Sequence, residues 1–160
     1  MARPRRLRWT TVVGLIFAGW YPGRNVWGRV QLPKGFEVFP EAERVLGRFG
    51  GLKFGDRNEH ARLDPAAGEE EAGRIGECVR KLGRRLYPVG YYEHQDREYY
   101  LVDEAGIVYL LTGDTLHALA SSFEKALDYI VWCRIRRGEV ARDLDRLGLR
   151  DTRWQLEERT

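Results

Sequence analysis

Three runs of aromatic and β-branched residues dominate the hydrophobic pattern: Tyr87 to Tyr92, Glu98 to Val102 and Ile107 to Leu111. Polar residues separate them, first Glu93 to Arg97 and then Asp103-Glu104-Ala105-Gly106. Such runs suit a pleated, half-buried surface. Gly106 supplies the positive φ that a tight hairpin turn needs. The pattern predicts an antiparallel meander on which the rest of the chain packs.

Helical spacing flanks it on both sides. Pro40 and Glu41 open a helix whose Ala42, Val45, Leu46 and Phe49 share one face, and Gly50-Gly51 ends it. Leu52 to Phe54 begins a short strand, and Gly55 to Ala61 reads as polar loop. Leu63-Asp64-Pro65 turns into a helix with Glu69-Glu70-Glu71 at its start and Lys81, Arg84 and Arg85 at its end, the order a helix dipole favours. After the meander, Ser121-Ser122-Phe123-Glu124 predicts a capping box, with Ser121 as cap and Glu124 reaching back. Phe123, Ala126, Leu127, Ile130 and Val131 form an amphipathic stripe that covers the meander, and Gly138 closes the helix. Val140, Leu144 and Leu147 predict another turn or two, followed by a charged tail.

The N-terminal end is different. Arg3, Arg5, Arg6 and Arg8 precede the apolar run from Val12 to Ala18. Charge followed by an apolar run is also the order of a signal peptide. The run is too short to span a bilayer. Bulky Trp20 and Tyr21 stand where a small-residue cleavage site would follow. The reading is a first helix docked on the sheet, ending in a corner at Pro22-Gly23 with Trp20 turned inward. The expected divisions are a basic arm over 1–14, an α+β domain over 15–138 and a charged helical tail over 139–160.

Charge changes the picture in one respect. The 160 residues carry a net +3, yet residues 1–30 hold six arginines and no acid, while residues 31–110 hold 12 basic and 15 acidic residues. The basic balance is an arm and not a domain-wide nucleic-acid footprint. Two cysteines, Cys78 and Cys133, make no disulfide framework, which fits reduced thiols and a cytoplasmic protein.

Residue chemistry offers no catalytic or metal centre. His60, His94 and His117 lack partners at zinc-ligand spacing. Asp103 and Glu104 are adjacent, so on a strand they point to opposite faces. No serine sits in a nucleophile elbow and no glycine-rich phosphate loop is present. The expectation is a non-enzyme with no metal and no cofactor. Six tyrosines, Tyr87, Tyr91, Tyr92, Tyr99, Tyr100 and Tyr109, crowd one sheet. They serve either cross-strand packing or a binding face, where outward tyrosines beside acids suit a protein partner. The acids count against a nucleic-acid stacking platform. Candidate binding residues are Tyr92, Glu93, His94, Asp96 and Arg97 in the first hairpin, with Asp103 and Glu104 in the second.

Several pieces recur in a familiar order. Ala18-Gly19-Trp20-Tyr21-Pro22-Gly23-Arg24 comes first, then Phe39-Pro40, Phe49-Gly50-Gly51-Leu52, Leu63-Asp64-Pro65 and Leu86-Tyr87-Pro88-Val89-Gly90. Leu101 to Tyr109 and Ser122-Phe123-Glu124-Lys125-Ala126-Leu127 complete the series. Over about residues 15 to 138 this succession resembles the SUKH superfamily of bacterial immunity proteins, in particular its third subgroup. The resemblance implies a single α+β domain with a central mixed or antiparallel sheet and flanking helices. It implies a cytoplasmic protein that binds and neutralises a cognate polymorphic toxin, a nuclease or deaminase, with no direct nucleic-acid or membrane partner. A non-catalytic scaffold or regulatory module on the same fold is the alternative. The resemblance carries no binding residue over, and neither the arginine-rich arm nor the tail beyond Gly138 has a counterpart in it.

Overall fold

In the computed structural model, residues 6–132 and the strand Arg153–Gln155 are described. The described strands form one sheet in the order β1 (Lys53–Gly55), β2 (His60–Arg62), β3 (Leu86–Glu93), β4 (Arg97–Asp103), β5 (Val108–Thr112), β6 (Thr115–Ala120) and β7 (Arg153–Gln155). All neighbours are antiparallel. Among the described residues four α-helices flank the sheet: α1 (Trp9–Phe17), α2 (Pro40–Phe49), α3 (Ala72–Leu82) and α4 (Phe123–Ile130). The fold is a single α+β domain, and the meander stands as β3, β4 and β5.

The long β3 explains much of the core. Leu86 to Tyr91 are all buried, so both faces of this strand are covered. Tyr87 meets the edges of Phe36 and Phe39, with ring centroids 6.0 and 6.2 Å away. Its neighbour Pro88 must face the other way. There a 3-10 turn over Pro65–Glu71 presses so close that a Cβ on Gly68 would lie 2.4 Å from Pro88. Asp64 caps that turn by accepting from the Ala66 N–H at 3.1 Å. Register slips between Pro88 and Gly90, and Gly90 sits where a Cβ would lie 2.4 Å from the Arg62 carbonyl oxygen.

Several sequence expectations are corrected. The segment read as polar loop from Gly55 to Ala61 ends in β2, which pairs with both β1 and β3. The strand β6 follows a two-residue turn at Gly113-Asp114, where Gly113 has φ +55°. The cap of α4 is Ser122, not Ser121: its Oγ accepts from the Lys125 N–H at 3.3 Å. Glu124 is 3% exposed and takes Arg44 of α2, while Arg48 lies 3.7 Å away. A buried carboxylate needs such a partner. Burial costs the Arg44 guanidinium, but Glu41 and Glu124 together raise its pKa above the ordinary arginine value.

The chain leaves α4 at Ile130, short of Gly138, which lies outside the described residues, as do Val140, Leu144 and Leu147. The tail expected to be helical supplies a strand at Arg153–Gln155, whose backbone pairs with the free edge of β6. The division expected after residue 14 falls inside α1, and that expected after 138 lies outside the described residues. The first corner is as expected: Trp20 is 7% exposed and stacks on Phe49, and Gly23 has φ +81°. Leu101, Val108, Leu127 and Ile130 share one core, with α4 packed on β6 and α1.

Candidate functional site

The candidate residues fall at the two ends of β4. Six steps of strand separate Arg97 from Asp103, about 20 Å. They do not form one site.

At the β4–β5 turn, Asp103 is fully buried. Its Oδ1 accepts from the backbone N–H groups of Ala105 and Ile107, both at 2.9 Å. Its Oδ2 accepts from Arg84 at 3.1 Å and from the Tyr109 hydroxyl at 2.9 Å. Burial first, and the Asp103 charge second, push the Tyr109 phenol well above its ordinary range. Asp103, expected in the contact, thus has both oxygens engaged in holding the turn. Glu104 beside it is exposed and takes a two-pronged contact from Arg85, at 2.8 and 3.0 Å, which lowers its pKa.

At the β3–β4 hairpin the chemistry is open to solvent. His94 and Asp96 are exposed, and Tyr92 and Glu93 are half-buried. Arg97 donates to Glu93 at 3.1 Å and to Glu70 at 3.3 Å, and its guanidinium lies 4.3 Å over the Tyr91 ring. Burial costs this guanidinium, yet the Glu93 pairing leaves its pKa raised. The Tyr99 hydroxyl also donates to Glu70; burial, then that carboxylate, raises the phenol's pKa. From β2, His60 sets Nε2 3.4 Å from Glu93, while its buried Nδ1 has no partner. The Tyr92 hydroxyl donates to Glu59.

Glu59, His60 and Glu70 were not anticipated at this end. Glu70 was read as a helix-dipole residue and reaches the hairpin only because the 3-10 turn packs on β3. For the other two a signal existed. Asp56-Arg57-Asn58 is a turn cluster followed by the short alternation of His60-Ala61-Arg62, and Asp56 does accept from the Asn58 and Glu59 N–H groups.

The tyrosine face does not survive as a binding surface. Tyr87, Tyr91, Tyr99, Tyr100 and Tyr109 are each at most 7% exposed, so cross-strand packing is their role. Among the described residues no group of three His, Cys, Asp or Glu could hold a metal ion, and no helix is long and apolar enough to cross a membrane. Cys78 is free and buried, and burial pushes its thiol up to about 11.

Comparison with known proteins adds one finding. The family model of the SUKH-3 immunity protein matches residues 11–132. No curated protein and no solved structure matches the chain.

Proposed function

Because the chain belongs to the SUKH-3 immunity protein family, we propose that it neutralises a cognate polymorphic toxin, a nuclease or deaminase, by binding it in the cytoplasm without catalysis. The observation that carries this reading is the extent of the match, which runs from α1 through α4 and takes in the whole meander.

We place the contact at the hairpin end of the sheet, on Tyr92, Glu93, His94, Asp96 and Arg97. Three separate elements support that choice by delivering charged side chains to one rim: Glu59 before β2, Glu70 from the 3-10 turn and the hairpin itself. Charges on such a rim mainly set association rate and salt dependence. Asp103 and Glu104 lie at the far end of β4, about 20 Å from this rim.

The test is co-expression with the toxic domain encoded beside this gene. Cells making the intact protein should survive and the two chains should co-purify. Equal killing with and without the protein, and no complex, would sink the reading and favour the scaffold alternative.

A further inference from the structure

Helix α1 is apolar on two sides. Thr11 and Leu15 are buried toward the core. Trp9, Ile16 and Phe17 are 76%, 54% and 88% exposed. With Val13 they recur at i, i+4, i+7 and i+8, one stripe down the outer face. Trp132, 47% exposed, extends the stripe from the end of α4: Gly14 lets α4 so close that a Cβ there would lie 2.1 Å from Val131 and 3.5 Å from the Trp132 ring. A helix apolar all round is normally a buried helix.

Behind the stripe lies a groove of about 780 Å³ between α1 and the β1–β2 hairpin. Phe17, Ala18, Phe54 and Trp132 line it, with Asp56 and Glu59 also on its wall. Glu59 is the link to the rim already described, since it also accepts from the Tyr92 hydroxyl. The groove and the β3–β4 hairpin are thus continuous. The ridge is also electrically polar. Acids Asp56, Glu59, Glu70, Glu93 and Asp96 outnumber Lys53, Arg57 and Arg97 at one end, whereas Arg6 and Arg8 stand at the other, Arg8 beside Asp128.

We propose that this stripe and groove are the apolar anchor of the toxin interface and that the acidic hairpin tips are its rim. The inference rests on the immunity reading and names the partner's surface. It is an apolar projection that enters the groove, with basic residues on the side that meets Asp56, Glu59 and Glu93. Buried aromatic anchors inside a charged rim are the usual anatomy of such contacts. The acids Asp56 and Glu59 on the groove's wall favour a basic edge on the partner there.

The probe is a catalytically inactivated toxin domain taken from a reading frame next to this gene, titrated against the 160-residue chain. Phe17→Glu and Trp132→Ser should each weaken binding by at least about tenfold, Phe17→Glu with an unchanged thermal melt because the side chain is 88% exposed, and Trp132→Ser with a small loss because about half of its ring packs on α1. Glu104→Lys, at the far end of β4, should bind as the intact protein does. Equal affinity for all three would overturn the anchor while leaving the immunity reading in place; no binding by the intact chain would remove that reading and the anchor with it. A thiol footprint gives a second readout. Ala18→Cys, made with Cys133→Ser, should react quickly in the free chain and be protected in the complex. Protection in the free chain at every concentration would assign the groove to the protein's own chain, and protection that grows with concentration to a second copy. Protection by anionic vesicles would assign it to a membrane surface. Each of these overturns the proposal, as does a complex that leaves the thiol reactive.

Discussion

The two ends of β4 each join a carboxylate, an arginine and a tyrosine, for different purposes. Asp103, Arg84 and Tyr109 meet at one, and Glu70, Arg97 and Tyr99 at the other. In each trio an arginine and a tyrosine share a carboxylate. What differs is the carboxylate's surroundings. Asp103 is fully buried and also takes two backbone N–H groups, whereas the Glu70 side chain is 59% exposed. A buried acceptor whose partners are lost leaves several polar groups without water to replace them. An exposed one is rehydrated at once. The first trio is scaffold, and the second is free to trade its partners for those of another protein.

The largest effect expected from this contrast is on Asp103. Asp103→Ala should cost about 3–5 kcal/mol, since it removes one buried acceptor shared by Arg84, the Tyr109 hydroxyl and two backbone donors. Glu93→Ala should stay within about 0.5 kcal/mol. Urea melts of the two variants decide it, and similar midpoints would erase the distinction.

Next in size are the two tyrosines. Tyr109→Phe should cost about 1.5–3 kcal/mol at neutral pH, and Tyr99→Phe no more than about 1 kcal/mol. Both phenols have raised pKa values, through burial first and a neighbouring carboxylate second. A folded-state pKa above the unfolded value of about 10 gives stability that is complete below that pH. It is lost as pH rises through the folded value, because the unfolded chain ionises first. Melts taken from neutral pH into the alkaline range should therefore show a shallower loss in Tyr109→Phe than in the parent. An unchanged alkaline limb would show that Tyr109 does not carry it.

Arg97→Ala should change stability by about 1 kcal/mol or less, since it pairs with one exposed and one half-buried carboxylate, both open to water, and covers one ring. Its larger consequence should be faster association with the toxic domain and a steeper salt dependence, because the acidic rim becomes more negative toward a basic partner, measurable by stopped-flow mixing. The smallest effect belongs to Glu104. Its pKa is lowered by Arg85, so its contribution is present above the ordinary glutamate range and fades as pH falls through the folded value. Glu104→Gln should match the parent at low pH and differ only slightly at neutral pH in parallel melts. A large loss at neutral pH would mean that the exposed turn is more than a tether.

Much of the fold could be read from local pattern. The meander follows from runs of β-formers broken by turn residues, α2 from Pro40 and its apolar face, and the first corner from Pro22-Gly23. The turn at Gly113-Asp114 was equally readable but brings a strand, β6, whose His117 and Thr115 interrupt the apolar pattern. The candidate site was half legible. The hairpin residues are exposed as expected because a hairpin tip has few neighbours. Asp103 was misplaced because a turn carboxylate looks the same in sequence whether it faces water or folds back under its own turn.

The sequence by itself determined the meander, the four described helices and the family, since these rest on spacing within about ten residues and on the succession of motifs, whereas β2, β6 and β7 were set by pairing with distant strands. Only the tertiary structure decided which side chains the elements hide. It put Glu124 under α2 against Arg44, drew Glu59 and Glu70 to the hairpin, sank the tyrosines and left Trp9, Ile16 and Phe17 in water. The reason is that a strand offers alternate residues to opposite faces, and a helix a full turn of them. Which face becomes interior depends on register and on elements far away in the chain.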